Sequence, residues 1–410
     1  MIATRKKVRS SSALLCALTI AFAAVPPFLI GQENNRAQDR LQAMALEQQG
    51  RNPEAEQIWD SIAKADPANA EALAHLGLLE ARQERYGPAI EYYRRAVAIN
   101  ADLPNLQMNL GLALFKIDQF PDAIRSFSSE LLKHPGDQRL TILIGMAHYG
   151  MKDYLVAIPY LKRAAEHDPQ NASLRLTLAH SCMASRQYQC VLEEHKEILD
   201  LKAESAEADL LAGETLDQLQ DRSGAEKQFR AAAQITPSQP NVHFGLGYLL
   251  WTQGKWAEAA IEFQLELQND PSHLKARVYL ADSWVHQNQF AKALPELEKL
   301  VAADPSDPLT HRDLGIIYAD QSQSQNAPGQ IASGQNASGQ TPIQNALREL
   351  NAAIDADPTD EESHRLLAHL YQATGKVNQA TAELNKAKQL PQQNHASLRE
   401  MIDSIENPAP

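Results

Sequence analysis

The sequence is poor in the residues that usually announce chemistry. Three cysteines in 410 residues exclude a disulfide-framework scaffold, and no C-x-x-C pair suggests a zinc ribbon or a redox motif. No G-x-S-x-G is present to form a nucleophile elbow, and no H-E-x-x-H is present to hold zinc. The 13 histidines are scattered, and His364 and His369 stand five apart, on different faces of a helix. ATGKV at 373–377 hints at a phosphate loop, but Leu370 stands where its first glycine is required and Val377 where Ser or Thr is. Aromatics make up 6 % of the chain, and no alternating apolar run marks a strand. These absences predict a protein that is not an enzyme and has no cofactor and no metal.

Positive charge is also short, with a formal net charge of −13. An acidic body keeps a chain soluble and repels phosphate backbones, so nucleic acid is excluded as the expected partner. Cations do gather at the start, where RKKVR precedes SSALLCALTIAFAAVPPFLIG and an A-x-A at Ala21–Phe22–Ala23. This layout predicts an export signal cleaved after Ala23. An uncleaved anchor is the alternative, because apolar residues continue through Phe28, Leu29 and Ile30 to bare spanning length. Residues 1–32 are therefore read as a signal peptide or N-terminal membrane anchor. The body is expected to be exported, periplasmic or held at the inner membrane facing the periplasm, with membrane contact only through this segment. Leu15 before Cys16 is too large for a lipobox.

What the chain has in abundance is itself. GKWAEAAIEF at 254–263 is echoed by ERYGPAIEYY at 84–93, DQFPDAIRSF at 118–127, KDYLVAIPYL at 152–161 and NQFAKALPEL at 288–297. The echoes fall on a 34-residue grid, the mark of a solenoid. In the unit that begins at residue 70, apolar residues recur at three- and four-residue spacing to Ala81. They break at a turn over 83–85 and resume from Ala89 to Ile99, predicting two amphipathic helices and a tight turn. Position 8 is small (Gly77, Gly111, Gly145, Gly213, Gly247, Gly315), and position 20 is alanine (Ala89, Ala123, Ala157, Ala225, Ala259, Ala293) with Val191 the exception. Proline closes most units at position 32, including Pro135, Pro169, Pro237, Pro271 and Pro305. A glycine inside a helix costs about 1 kcal/mol against alanine, so its recurrence predicts close approach of two helix backbones. The bulkier side chains at positions 17 and 24 would fill the space that remains.

With small residues at 8, aromatics at 17 and 24, alanine at 20 and proline at 32, the array resembles the tetratricopeptide repeat family. Position 4, aromatic in the family, holds Leu73, Gln107, Thr141 or His311 here. The resemblance implies an all-α fold, an α-solenoid forming a right-handed superhelix of about ten tandem helix-turn-helix units over 33–394. The first helices would make its concave wall. QSQSQNAPGQIASGQNASGQT at 321–341 interrupts one repeat and is read as a flexible loop within it. Residues 395–410 are read as a capping helix and tail, with Leu398, Met401, Ile402 and Ile405 on the face that would shield the last repeat. Cys182 and Cys190 fall on the two helices of one repeat and are expected as buried thiols, an oxidised bridge being the alternative.

By the same resemblance, positions 2, 5, 9, 12 and 13 face the concave surface. They place Met108, Leu112, Phe115, Ile142, Met146, Tyr149, Leu176, His180 and Met183 there, followed by Phe244, Tyr248, Trp251 and Tyr279. Glu71, Arg82, Glu207, Glu214 and Asp217 are assigned to the flanks. An apolar, Met-rich strip on a wet surface predicts a peptide-binding groove. The family's clamp for C-terminal carboxylates is missing, since Leu112 and Met146 stand where its asparagine would serve. The expected function is an exported scaffold that binds a peptide segment of a protein partner. The alternative is a structural subunit of an envelope secretion, pilus or polysaccharide-export complex.

Overall fold

The computed structural model describes residues 27–203, 205–325, 341–390 and 398–406. Most of the expected signal or anchor, and residues 326–340 of the insertion, lie outside the described residues. Two compact units are distinguished, residues 1–140 and 141–410. The first carries α1 (Pro27–Gln48), α2 (Asn52–Ala65), α3 (Ala70–Arg82), α4 (Tyr86–Ile99), α5 (Leu106–Lys116) and α6 (Phe120–Lys133). The boundary falls in the first turn of α7 (Gln138–Gly150), and the second unit continues with α8 (Tyr154–His167), α9 (Ala172–Ala184), α10 (Tyr188–Asp200), α11 (Ala206–Gln218) and α12 (Arg222–Ile235). It goes on through α13 (Val242–Thr252), α14 (Trp256–Asn269), α15 (Leu274–His286), α16 (Phe290–Ala303) and α17 (Pro308–Gln325). It ends with α18 (Pro342–Ala356), α19 (Glu361–Ala373), α20 (Val377–Gln389) and α21 (Leu398–Glu406). Within each unit the helices pack as tandem pairs, and no strand occurs among the described residues. No helix among them is long and apolar enough to cross a membrane.

The small residue at position 8 has a specific cause. A Cβ added to Gly111 would lie 2.5 Å from Cε1 of Phe127, and one added to Gly247 would lie 2.8 Å from the Phe263 ring. The second helix thus lays its position-24 ring flat on the glycine of the first. The expected position-24 side chain does fill the space, lying directly against the glycine. Ala123 and Ala259 at position 20 are fully buried beside it, where a larger side chain would push the pair apart.

The turn between paired helices rests on backbone geometry. Position 15 adopts the left-handed conformation in repeat after repeat: Glu84, Asp118, Lys152, Arg186, Gln220, Gly254 and Asn288 all have positive φ. This residue ends the first helix, and the next amide closes the cap, as where Arg85 N–H donates to the Glu80 carbonyl at 3.0 Å. Gly50 and Gly375 hold the same position with φ of 75° and 76°, so three of the nine are glycine and composition carries only part of the signal.

Position 4 explains the departure from an aromatic. In four repeats of the second unit it carries a polar group that meets the glutamate at position 23 of the same repeat. Arg175 Nη1 donates to Glu194 at 2.8 Å, and His243, His311 and His364 lie 2.7, 2.7 and 2.6 Å from Glu262, Glu349 and Glu383. All four position-4 side chains are buried, so each pair satisfies a polar group that would otherwise be stranded.

Three expectations need correction. First, α17 continues to Gln325, so Gln321–Gln325 are helical and not part of a loop. The 321–341 insertion still falls inside a repeat, because α17 and α18 pack as one pair, with Leu350 over Gly315. Second, Cys182 and Cys190 form a disulfide and are not thiols. The α9–α10 pair brings their Cα atoms to 5.9 Å, within disulfide reach. Third, α21 does not cap the last repeat. It folds back onto α11 and α13, where apolar surface is available for its own apolar face.

Candidate functional site: the first-helix face of the second unit

The predicted strip, carried by α5, α7, α9, α13 and α15, is not uniformly open. In the first unit, Met108, Leu112 and Phe115 on α5 are half-buried. In the second, Ile142, Met146, Tyr149 and Leu176 are half-buried and pack against the α8–α9 core. His180 is half-buried, with Nε2 at 2.6 Å from Glu207 Oε1. Met183 is buried, and its sulfur accepts from the Thr215 hydroxyl at 3.5 Å.

The aromatic half of the prediction is corrected. Phe244 is fully buried in the core and lines no open groove. Its ring lies 4.7 Å from His273, 6.0 Å from Phe263 and 6.2 Å from Tyr279. The local reason lies at the start of α13. The preceding Asn241 is left-handed (φ 64°), and the buried Glu266 carboxylate accepts the amides of Asn241 at 3.2 Å and Phe244 at 3.0 Å. Tyr279 stands at position 6, between helices, and is also buried, with ring centroids 4.9 Å from Trp251 and 5.3 Å from Tyr248. Tyr248 and Trp251 do hold positions 9 and 12, but both are buried within one apolar cluster that includes Leu398 and Ile402 of α21.

The chain's own α21 packs into this cluster. Leu398 is 0 % and Ile402 1 % exposed. The Leu398 amide donates to Asp217 Oδ2 at 3.0 Å, Arg399 Nη1 donates to Glu214 Oε2 at 3.1 Å, and the Tyr279 hydroxyl donates to Met401 Sδ at 3.9 Å. Burial pushes the Asp217 carboxyl up, and the Leu398 amide only partly offsets this. Burial likewise drives the Tyr248 and Tyr279 hydroxyls well above their ordinary range.

Beside α21 lies a cleft of about 270 Å³, lined by Tyr149, Tyr154, His180, Met183, Glu207, Glu214, Arg399 and Ile402 among others. Glu207 and Glu214, assigned to the flanks by the sequence reading, are thus part of the site. Its lining mixes apolar side chains with two carboxylates, Glu207 and Glu214, that meet His180 and Arg399.

Behind this surface runs a buried charge network. Trp251 Nε1–H donates to Asp282 Oδ2 at 2.5 Å. Asp282 also meets His286 at 3.3 Å and Arg312 at 3.5 Å, and Arg312 reaches Asp360 at 3.4 Å and Glu362 at 3.3 Å. Burial alone would raise the Asp282 pKa, but the His286 contact and the Arg312 charge leave it lowered. Asp313 is fully buried and neither carboxyl oxygen has a hydrogen-bond partner. Burial, and then the charge of Asp282, push its carboxyl well up. Among the described residues no group of three or more His, Cys, Asp or Glu is placed to hold a metal ion.

A tetratricopeptide repeat model matches residues 40–104, 108–172, 210–273, 244–308 and 278–341. The chain belongs to the tetratricopeptide repeat family. Paired helices on a 34-residue period agree with that membership, and such arrays serve as scaffolds for protein–protein interaction. Among curated tetratricopeptide relatives it resembles BBSome complex member BBS4 of Bos taurus, 23 % identical over 219 residues, 53 % of this chain and 42 % of that one. It also resembles the protein CTR9 homolog of Arabidopsis thaliana, 21 % identical over 284 residues, 66 % of this chain and 26 % of that one. The chain therefore spans less than half the length of these relatives. Among solved structures it is similar to MamA (residues 41 to the end) from Desulfovibrio magneticus RS-1, with a TM-score of 0.36 and 19 % identity, covering 47 % of this chain and 97 % of that one. It is likewise similar to Pseudomonas aeruginosa pilF, at TM-score 0.38 and 18 % identity over 54 % of this chain and 99 % of that one.

The sequence reading missed Leu398, Arg399 and Ile402 as site residues. The apolar face of 398–405 was visible, but nothing local in it distinguishes an end cap from a strap laid over α11 and α13.

Proposed function

We propose that this protein is an exported, non-catalytic tetratricopeptide scaffold that grips a peptide segment of a partner protein on the first-helix face of its second unit. The observation that carries the reading is the seat of α21: three apolar side chains, a backbone amide and an arginine of a short segment find matching partners on α11, α13 and α15. A surface that accepts one added helix in this way has the features of helix-in-groove recognition. Export rests on the basic start RKKVR and the apolar stretch after it, and would place the groove on the far side of the inner membrane from the cytosol.

The test uses the full chain as bait against an envelope extract, beside a Tyr149→Ala/His180→Ala variant. Both residues are half-buried, so the fold should survive, which circular dichroism checks. Partners that bind the parent and are lost with the variant support the groove. An identical captured set rejects it and favours an assembly subunit that uses other faces. Recovery of the chain in the cytosolic fraction alone would reject export.

A further inference from the structure

We infer that the α11–α13–α15 surface is shaped for an amphipathic helix with apolar residues at i, i+3 and i+4 and a cation at i+1, and that α21 is its resident occupant, which a partner helix of the same pattern replaces. This deepens the function proposed above and rests on it. Leu398, Met401 and Ile402 supply the i, i+3, i+4 face; Leu398 and Ile402 are fully buried and Met401 packs on the same aromatic cluster. Arg399 supplies the cation at i+1, and its partner Glu214 is 1 % exposed. Asp217 accepts the first amide of α21, a capping carboxylate supplied by the groove. The pattern of the occupant is thus read by three independent groups on α11 and α15, and a neutral or acidic helix would leave Glu214 without its cation.

The occupant is also built to leave. α21 has 9 residues, below the roughly 12–15 at which an isolated helix becomes marginally stable in water. Its helical form therefore depends on the groove. Only residues 390–397 join it to α20. A short tether gives an effective concentration on the order of millimolar, so weak docking suffices to keep the groove filled. A longer or better-packed partner helix can still displace it, and the tail sets the threshold that such a partner must exceed.

The experiment is fluorescence anisotropy with a labelled peptide of residues 396–406 (ASLREMIDSIE), titrated with the full chain and with a full-length Leu398→Asp/Ile402→Asp variant whose own tail cannot dock. The variant should bind the peptide at least about tenfold more tightly than the parent, because the tethered competitor is gone. A peptide carrying the R399E change should bind the variant at least about fivefold more weakly, given a like-charge contact with Glu214. Equal affinity for parent and variant would show that α21 does not occupy the site. Absence of peptide binding to a variant that still melts like the parent would reject the helix pattern itself. Sedimentation adds a further arm: a parent dimer that the variant abolishes would mean that α21 seats in a second copy, and would overturn the single-chain occupant. None of these failures touches the Tyr149/His180 comparison, so the groove stands or falls separately.

Discussion

Phe115 in the first unit and Trp251 in the second hold the same place, position 12 of their repeats. Phe115 is half-buried, its ring edge-on to Phe120 at 5.3 Å. Trp251 is buried among Tyr279 at 4.9 Å, Tyr248 at 5.7 Å and Trp256 at 5.9 Å, with its N–H spent on Asp282. Repeat register decides which face a side chain is on. Whether that face stays open is decided by what else the unit brings to it, here α15, a buried carboxylate and α21. The units differ in the same way at positions 4 and 23. Leu73 with Tyr92 and Gln107 with Ser126 stand there in the first, whereas buried ion or histidine pairs occupy several repeats of the second.

The sharpest way to break this comparison is to truncate the two position-12 rings. Trp251→Ala should cost about 3–5 kcal/mol, as deletion of a large buried ring does, while Phe115→Ala should cost about 1 kcal/mol for a half-exposed one. Urea unfolding followed by fluorescence and circular dichroism reads both, and equal losses would erase the distinction. Next in size is Gly111→Ala, whose new Cβ meets the Phe127 ring. Overpacking of roughly 1–3 kcal/mol should outweigh the helix-propensity gain of about 1 kcal/mol, so the first unit should melt lower; a higher melting temperature would refute the ring-on-glycine account.

The His311–Glu349 pair predicts a pH dependence in the second unit. The Glu349 contact, outweighing burial, raises the His311 pKa above its ordinary 6.5, and Glu349 is lowered by the same contact and by Arg348 despite its burial. A raised histidine contributes its stability in full below the unfolded value and loses it as pH rises through the folded one. Stability should therefore fall by about 1 kcal/mol for the pair as pH passes upward through that range. His311→Leu should flatten the curve, as read by melting temperature from pH 5 to 9. The smallest effect is expected at the turns. Arg186→Gly should stabilise by roughly 0.5 kcal/mol, because glycine avoids the left-handed penalty of about 1–2 kcal/mol yet loses more chain entropy on folding. Destabilisation would mean that Arg186 makes contacts beyond its backbone role.

Much of this was legible before the structure. Helical spacing, the glycine at 8, the alanine at 20 and the proline at 32 together specified the paired helices, because each acts within one repeat or between nearest neighbours. Met108, Leu112, Phe115, Ile142, Met146, Tyr149 and His180 of the predicted strip are half-buried. Phe244 and Tyr279 are not, since their burial depends on His273 and Phe263 one helix away. The left-handed turns were missed because side chains other than glycine occupy six of the nine, and a capping geometry can be imposed on residues that do not advertise it.

The sequence by itself determined the period and the pairing of helices, since these follow from local spacing repeated along the chain. Tertiary structure alone decided that Cys182 meets Cys190 as a disulfide, that position 4 pairs with position 23, and that α21 returns over α11 and α13. The last of these joins Leu398 to Asp217 across 181 positions. No periodicity records such a meeting. It is set by which exposed apolar face the folded array leaves within reach of its own tail.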